Sequence, residues 1–156
     1  MNLYFRMIWL LIGSFFKPDL PTERPTNSIS LRVLPNDIDI NMHMNNGRYL
    51  TICDLTRVDM FIRSGLAKTM ILEKWIPVIS EHTMIYKRPL KLFQKVKVEM
   101  DVVDWDDRVF NMNHRFIVNG KIVAQGTSKG LIVAKTGVIS PQTVKDAVDQ
   151  RLQDKQ

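Results

Sequence analysis

The sequence predicts an α+β domain in which an antiparallel sheet of about five strands wraps one long buried helix. A single apolar stripe with helical spacing, from Asn46 to about Gly65, predicts the helix. A short strand-like run precedes it, and four long runs rich in Val, Ile, Phe and Tyr follow it. With 156 residues, the chain is long enough for one core and too short for two large domains.

The amino-terminal segment, residues 1–17, is almost uninterrupted apolar sequence from Ile8 to Phe16. Such a run is shorter than the roughly 20 residues that cross a bilayer, and Arg6 and the large residues after it do not fit a cleaved signal peptide. Two interpretations stay open. The segment is either a helix packed on the domain or on a neighbouring subunit, or an interfacial membrane anchor with Arg6 and Lys17 near headgroups.

Residues 18–26 contain three prolines and alternating charges, which is typical of a linker. We therefore expect a single domain over residues 27–156, beginning with the alternating run SISLRVLP, a strand that Pro35 ends.

The predicted central helix begins after Asn45 or Asn46, either of which can cap it, and Gly65 can close it. Its stripe is formed by Ile52, Leu55, Val58, Ile62 and Leu66. The run LAKTMILEKW adds a further helical turn or two.

The remaining strands form a predicted meander, because turn signals stand between them at 91–94, 106–107 and 119–120. The four runs are PVISEHTMIYKRP, QKVKVEMDVVDW, RVFNMNHRFIV and KIVAQGTSKGLIVA. A carboxy-terminal helix follows from about residue 140, with Ser140 as N-cap and Pro141 in its first position.

Composition limits the partners. A formal net charge of +6 favours anionic ones, but the basic residues are spread along the chain, so we expect no specific nucleic-acid binding. Cys53 is the single cysteine, which excludes a disulfide framework and indicates a reducing, cytoplasmic setting, with the thiol buried. The sequence shows neither a glycine-rich phosphate loop nor a His/Cys set with metal-ligand spacing, so no cofactor and no metal are expected.

The stretch NDIDINMHMNN, residues 36–46, leads into the amino-terminal end of the central helix. A helix start offers unpaired amides and the positive end of the helix dipole, which stabilise a developing oxyanion. A carboxylate nearby can act as a nucleophile or as a general base. These two elements suffice for acyl transfer.

The pattern DxDxNxHxNNxxY, formed by Asp37, Asp39, Asn41, His43, Asn45, Asn46 and Tyr49, resembles the signature of hotdog-fold thioesterases of the 4-hydroxybenzoyl-CoA thioesterase group. Its DxNxHxNN portion is similar to that of plant acyl-carrier-protein thioesterases. The wider context, LRVLPNDIDINMHMNNGRYL, resembles the proteins grouped with thioesterase superfamily member six. The resemblance covers roughly residues 27–136 and implies a hotdog fold.

By position, the resemblance makes Asp39 the nucleophile or general base and the Asn46 backbone amide the oxyanion donor. Asn41 and His43 match residues that orient water or the carbonyl and take part in proton transfer. Purely structural interpretations stay open, since Asp39 can close an Asx-turn and His43 can hold the loop.

For substrate, Lys87 and Arg88 are cations able to meet coenzyme A phosphates or an acidic carrier protein. Tyr49 is either a packing residue or a substrate contact. Glu81 is a rough candidate for the strand carboxylate of the plant enzymes, as is His82, and Asp54 is an alternative acid within the helix.

The sequence thus predicts an acyl-CoA or acyl-carrier-protein thioesterase that forms at least a homodimer, or a homotetramer, because long strands leave exposed edges. A hotdog dehydratase is less favoured. The alternative from another class is a non-catalytic acyl-binding or membrane-peripheral scaffold.

Overall fold

The computed structural model describes residues 3–155, so residues 1 and 2 of the predicted amino-terminal helix lie outside the described part. Four α-helices lie at α1 Leu3–Phe15, α2 Asn46–Arg63, α3 Leu66–Glu73 and α4 Pro141–Gln153. Six strands lie at β1 Thr26–Arg32, β2 Ile76–Tyr86, β3 Lys95–Trp105, β4 Phe110–Val118, β5 Lys121–Ala134 and β6 Gly137–Ile139.

The strands form one antiparallel sheet in the order β1-β3-β4-β5-β2, with β6 paired to β5. This is the predicted α+β hotdog architecture, with the long helix against the sheet and an extra helix at each end. The predicted meander is correct for β3, β4 and β5 but wrong for β2, which pairs with β5 and not with β3. Strand β6 was not predicted, because three residues are too few to show an alternating pattern. Strand β1 begins at Thr26 and ends at Arg32, before a short 3₁₀ turn over Pro35–Asp37.

The central helix supplies one side of the core. Tyr49, Ile52, Cys53 and Leu55 are buried and cluster with strand residues such as Phe116. Asn45 is its N-cap, and Gly65 follows its end in the left-handed region, with a φ of +80° that suits glycine.

The sheet requires glycine where β5 passes β2. A Cβ added at Gly126 would lie 2.0 Å from the Thr83 carbonyl oxygen, closer than any real contact. The pairing Met84↔Gly126 holds the edge strand β2 against β5 only with glycine at this position.

Helix α1 packs on the domain through polar groups on its inner face. The Arg6 guanidinium donates to both carboxylate oxygens of Asp37, at 3.0 and 2.6 Å, and Ser14 Oγ donates to Asp59 Oδ1 at 2.6 Å. Lys17 Nζ lies 3.1 Å from the same Asp59 oxygen. In the structure α1 therefore packs on the domain, which agrees with the first of the two interpretations.

The opposite face of α1 is apolar and exposed. Its large side chains are Tyr4, Phe5, Ile8, Trp9, Ile12 and Phe15, and Phe16 follows the helix. Within residues 3–155, none of the helices combines the length and the apolar character needed to cross a bilayer.

Candidate functional site

A tight loop between the 3₁₀ turn and α2 carries the motif. The Asp39 amide donates to the His43 carbonyl at 2.9 Å, and the Met42 amide donates to the Asp39 carbonyl at 3.0 Å. Met42 has a φ of +60°, which lets the chain reverse between these contacts. The reversal brings His43 beside Lys91, with which it forms an isolated β-bridge.

Asp37 is fully buried and its carboxylate is saturated with donors. It receives hydrogen bonds from Arg6, from Arg48 Nε at 2.9 Å and from the Leu34 amide at 2.8 Å. Burial alone would raise the pKa of this carboxyl, but these bonds outweigh it and hold the pKa below its usual value. Asp37 is therefore a structural residue, and its carbonyl also accepts from the Asn45 amide at 2.8 Å.

Asn45 and Asn46 form the start of α2. Asn45 Oδ1 accepts from the Gly47 amide at 2.9 Å, and the Asn45 carbonyl accepts from the Arg48 amide at 2.9 Å. The Asn46 amide belongs to the first turn of α2, and neither of these two hydrogen bonds uses it. It lies at the positive end of an 18-residue helix, which favours a negative oxygen in front of it.

An open cavity of about 390 Å³ lies in front of this helix start. Its lining contains most of the residues singled out in the sequence. They are Asp39, Asn41, His43, Asn46, Tyr49, Lys87 and Arg88, joined by Met44, Tyr86 and Pro89. Two cations and a helix amide end therefore share one cavity with a carboxylate, which is an arrangement suited to an anionic, carbonyl-bearing ligand.

Asp39 is the single carboxylate among these lining residues, and it is half-buried. Its Oδ1 accepts from the Asn41 amide at 2.8 Å, so Asp39 does close an Asx-turn. Within residues 3–155 we find no hydrogen bond to its other carboxylate oxygen. Turn formation and a chemical role are compatible at this residue, because the turn uses only one oxygen.

Two tyrosines form the inner wall. Tyr49 is 2% exposed, and its ring contacts those of Tyr86 and Phe116 at centroid distances of 4.9 Å. Burial raises the pKa of Tyr49, and a backbone hydrogen bond from Leu90 opposes the shift. Tyr86 Oη donates to the Asn46 carbonyl at 3.4 Å. Sequence reasoning missed Tyr86, although it directly precedes the cations Lys87 and Arg88.

Two acidic residues considered in the sequence lie elsewhere. Glu81 is exposed on β2 and pairs with Lys129 at 2.8 Å. Asp54 pairs with the buried guanidinium of Arg57. Neither borders the cavity that holds Asp39.

Comparisons with known proteins identify the family and the fold of the chain. Residues 33–152 match the model of a thioesterase-like superfamily. Protein THEM6 of Danio rerio is 28% identical over 150 residues, which are 95% of this chain and 72% of that protein. Protein THEM6 of Xenopus laevis is 37% identical over 91 residues, 58% of this chain and 44% of that protein, so the chain spans less than half of the frog relative.

Solved structures share the fold. The probable thioesterase YbaW from Escherichia coli has a TM-score of 0.72 at 18% identity and covers 79% of this chain and 96% of its own. A gentisyl-coenzyme A thioesterase has a TM-score of 0.67 at 23% identity, covering 79% of this chain and 99% of its own.

Proposed function

Because the chain belongs to the thioesterase-like superfamily, we propose that it hydrolyses acyl-CoA or acyl-carrier-protein thioesters in the cavity in front of α2. Family membership and the shared fold support acyl-thioester hydrolysis as the general activity. The observation that carries the finer proposal is the convergence of Asp39, the α2 start and two cations on one cavity.

In this proposal the Asn46 amide binds the carbonyl oxygen of the thioester, where negative charge develops during attack. Asp39 either attacks the carbonyl carbon, giving an anhydride that water then hydrolyses, or removes a proton from an attacking water. The C–S bond breaks and the thiolate leaves. His43 and Asn41 orient the water or the carbonyl, and His43 passes a proton to the leaving sulfur.

The cations of the cavity fit the other end of the substrate. Lys87 and Arg88 are exposed at the end of β2, where their charges can meet the phosphates of coenzyme A or an acidic carrier protein. Tyr49 and Tyr86 provide the apolar wall next to the reacting group.

The test measures thiol release from a panel of acyl-CoAs and acyl-carrier substrates with a thiol reagent. The single cysteine, Cys53, is fully buried, so the folded protein contributes little background. Asp39→Asn is expected to lower kcat at least about 100-fold, since general-base or nucleophilic groups contribute about 10²–10⁴. Glu81→Gln, a carboxylate outside the cavity, is the matched control and keeps activity.

Absence of release from every substrate would overturn the enzymatic proposal, and equal rates for Asp39→Asn and wild type would overturn the role of Asp39. Hydroxyacyl substrates belong in the panel, because an enoyl product would indicate a dehydratase instead.

The scaffold alternative is favoured by a separate observation, the exposed apolar face of α1. An apolar helix face bearing Trp9 and Tyr4 suits the interface of a bilayer, and a membrane-peripheral protein of this kind needs no turnover. Flotation with lipid vesicles tests it, comparing Phe5→Ser/Trp9→Ser with Ile71→Ser, which alters an apolar residue 77% exposed on α3.

Loss of flotation only in the α1 variant supports a membrane contact, and the alternative function requires that the thiol-release assay is also negative. Equal behaviour of the two variants contradicts the contact.

A further inference from the structure

Three side chains able to bind a metal ion meet in the interior, and none of them lines the cavity. They are Cys53 on α2, His82 on β2 and His114 on β4. The thiol sulfur and one ring nitrogen from each histidine all lie within 4.8 Å of one another. Cys53 and His114 are 0% exposed, and His82 is half-buried.

One nitrogen of each ring is not used by the protein. His82 Nε2 and His114 Nδ1 are buried, and within residues 3–155 neither has a hydrogen-bond partner. The two rings are stacked with centroids 5.3 Å apart, and an orphaned buried polar group costs about 1–3 kcal/mol, so the pair calls for an explanation. A ligand that accepts both lone pairs supplies one.

The other ring nitrogen of His114, Nε2, is held by hydrogen bonds. His114 Nε2 lies 2.7 Å from Ser128 Oγ, which also accepts from Arg57 Nη1 at 3.4 Å. Arg57 Nη1 also lies 3.5 Å from His114 Nε2, and Ser128 Oγ can either accept from Nε2 or donate to it. In the tautomer that donates from Nε2 to Ser128, the lone pair of the ring lies on Nδ1. A hydrogen bond on the far nitrogen is how proteins orient metal-binding imidazoles.

A buried positive charge next to the cluster determines which ligand charge is favoured. The Arg57 guanidinium is buried and pairs with Asp54. Its Nη1 lies 3.5 Å from His114 Nε2, so one buried positive charge already stands beside the cluster and a ligand that adds little net charge is favoured. The Cys53 thiol loses its proton when a cation binds to the sulfur.

We propose that Cys53, His82 and His114 form a three-coordinate binding site for Cu(I). Thiolate is a soft donor that selects this ion, imidazole also suits copper, and a monovalent cation with one thiolate is neutral. A divalent ion would leave a net positive charge beside buried Arg57 and would need a fourth ligand.

Binding exchanges the thiol proton for the metal. The S–H bond breaks, the S–Cu bond forms and the proton goes to solvent, with no change of oxidation state. Metal–ligand bonds of about 2.0–2.3 Å place three ligands roughly 3.7 Å apart, so the donors need to close by about 1 Å or less from their present limit of 4.8 Å.

The experiment titrates the metal-free full chain with Cu(I), under reducing conditions, in competition with a chromophoric Cu(I) chelator. We expect one ion per chain and X-ray absorption showing one sulfur and two nitrogen ligands. The midpoint of thermal unfolding rises with Cu(I) and not with Zn²⁺.

Variants locate the site. Cys53→Ala and His82→Gln should each weaken binding at least about 100-fold, while His43→Gln, which removes the remaining histidine of the chain, retains it. Circular dichroism of each variant shows that the fold is kept. No binding to the wild type, or equal binding by Cys53→Ala and wild type, overturns the site, and preference for Zn²⁺ overturns the choice of ion.

Discussion

Asp37 and Asp39 have identical side chains and lie two residues apart, but their environments give the two carboxylates different roles. Asp37 is fully buried and takes donors from Arg6, Arg48 and the Leu34 amide, whereas Asp39 borders an open cavity with one oxygen bonded to its own turn. The first carboxylate is committed to holding the loop. The second has the freedom that a reacting group needs.

At the same scale, His114 predicts how stability depends on pH in the metal-free protein. Its pKa is about 3 when folded, while an unfolded histidine titrates near 6.5. Below about pH 6.5 the unfolded chain therefore binds a proton at His114, whereas the folded protein does not bind this proton until about pH 3. The free energy of unfolding should fall across this window by up to about 1.4 kcal/mol per pH unit.

Urea unfolding at pH 7 and pH 5 measures this decrease. His82, whose pKa is also lowered by burial and by Arg57, acts in the same direction. His114→Gln should reduce the loss of stability between the two pH values. An unchanged loss in the variant contradicts the assignment. Buried Asp37 and Asp59, whose pKa values are lowered, matter only below about pH 4.

Among the elements, those with a local signal were predictable from sequence. The helical stripe predicted α2, the alternating runs predicted β2 to β5, and Ser140 with Pro141 predicted the start of α4. The loop residues of the site also share one stretch, so their grouping followed from the motif. Resemblance then singled out Asp39, whose chemical role stays a prediction.

Features built from distant segments were not predictable. Nothing in the sequence indicates that Arg6 reaches Asp37, because 31 residues separate them. Cys53, His82 and His114 have no regular spacing, and only the sheet register and the packing of α2 bring them together. The inner face of α1 has only Arg6 and Ser14 as buried polar residues, too few to show which face docks.

Helix α1 provides the prediction at the element scale. Arg6→Met removes one cation from fully buried Asp37, and we expect a loss of about 3 kcal/mol in stability. Because Asp37 also holds the Asn45 amide, amide hydrogens of residues 36–46 should exchange faster. Hydrogen exchange with mass spectrometry measures both effects.

Lys17→Met is the matched control, since it removes a cation that lies just after α1 and contacts Asp59, which keeps Arg63, Ser14 and Asn27 as partners. It should leave exchange of residues 36–46 near the wild-type rate. Equal acceleration in both variants would mean that Arg6 acts only by holding α1 in place.

On the scale of the whole molecule, β2 is an edge strand whose apolar side chains are exposed. Ile76 is 61% exposed and Ile85 is 59% exposed. An uncovered apolar edge favours pairing with a second copy across a two-fold axis. The end of β2 leads into Tyr86, Lys87 and Arg88, so a partner at this edge would lie next to the cavity.

We therefore predict a homodimer, or a homotetramer built from such dimers. Val78→Lys on β2 should shift light-scattering mass towards the monomer. Val103→Lys on the internal strand β3 should not, although Val103 is 38% exposed and Val78 39%. A monomeric wild type, or the same mass shift in both variants, contradicts pairing through β2.

The docking of α1 also sets an order of events while the chain is made. Asp37 is synthesised 31 residues after Arg6, and Asp59 45 residues after Ser14. At roughly 5–20 residues per second, the ribosome adds these partners a few seconds after the helix. During that interval α1 has no domain behind it, so the helix docks only after α2 has been made.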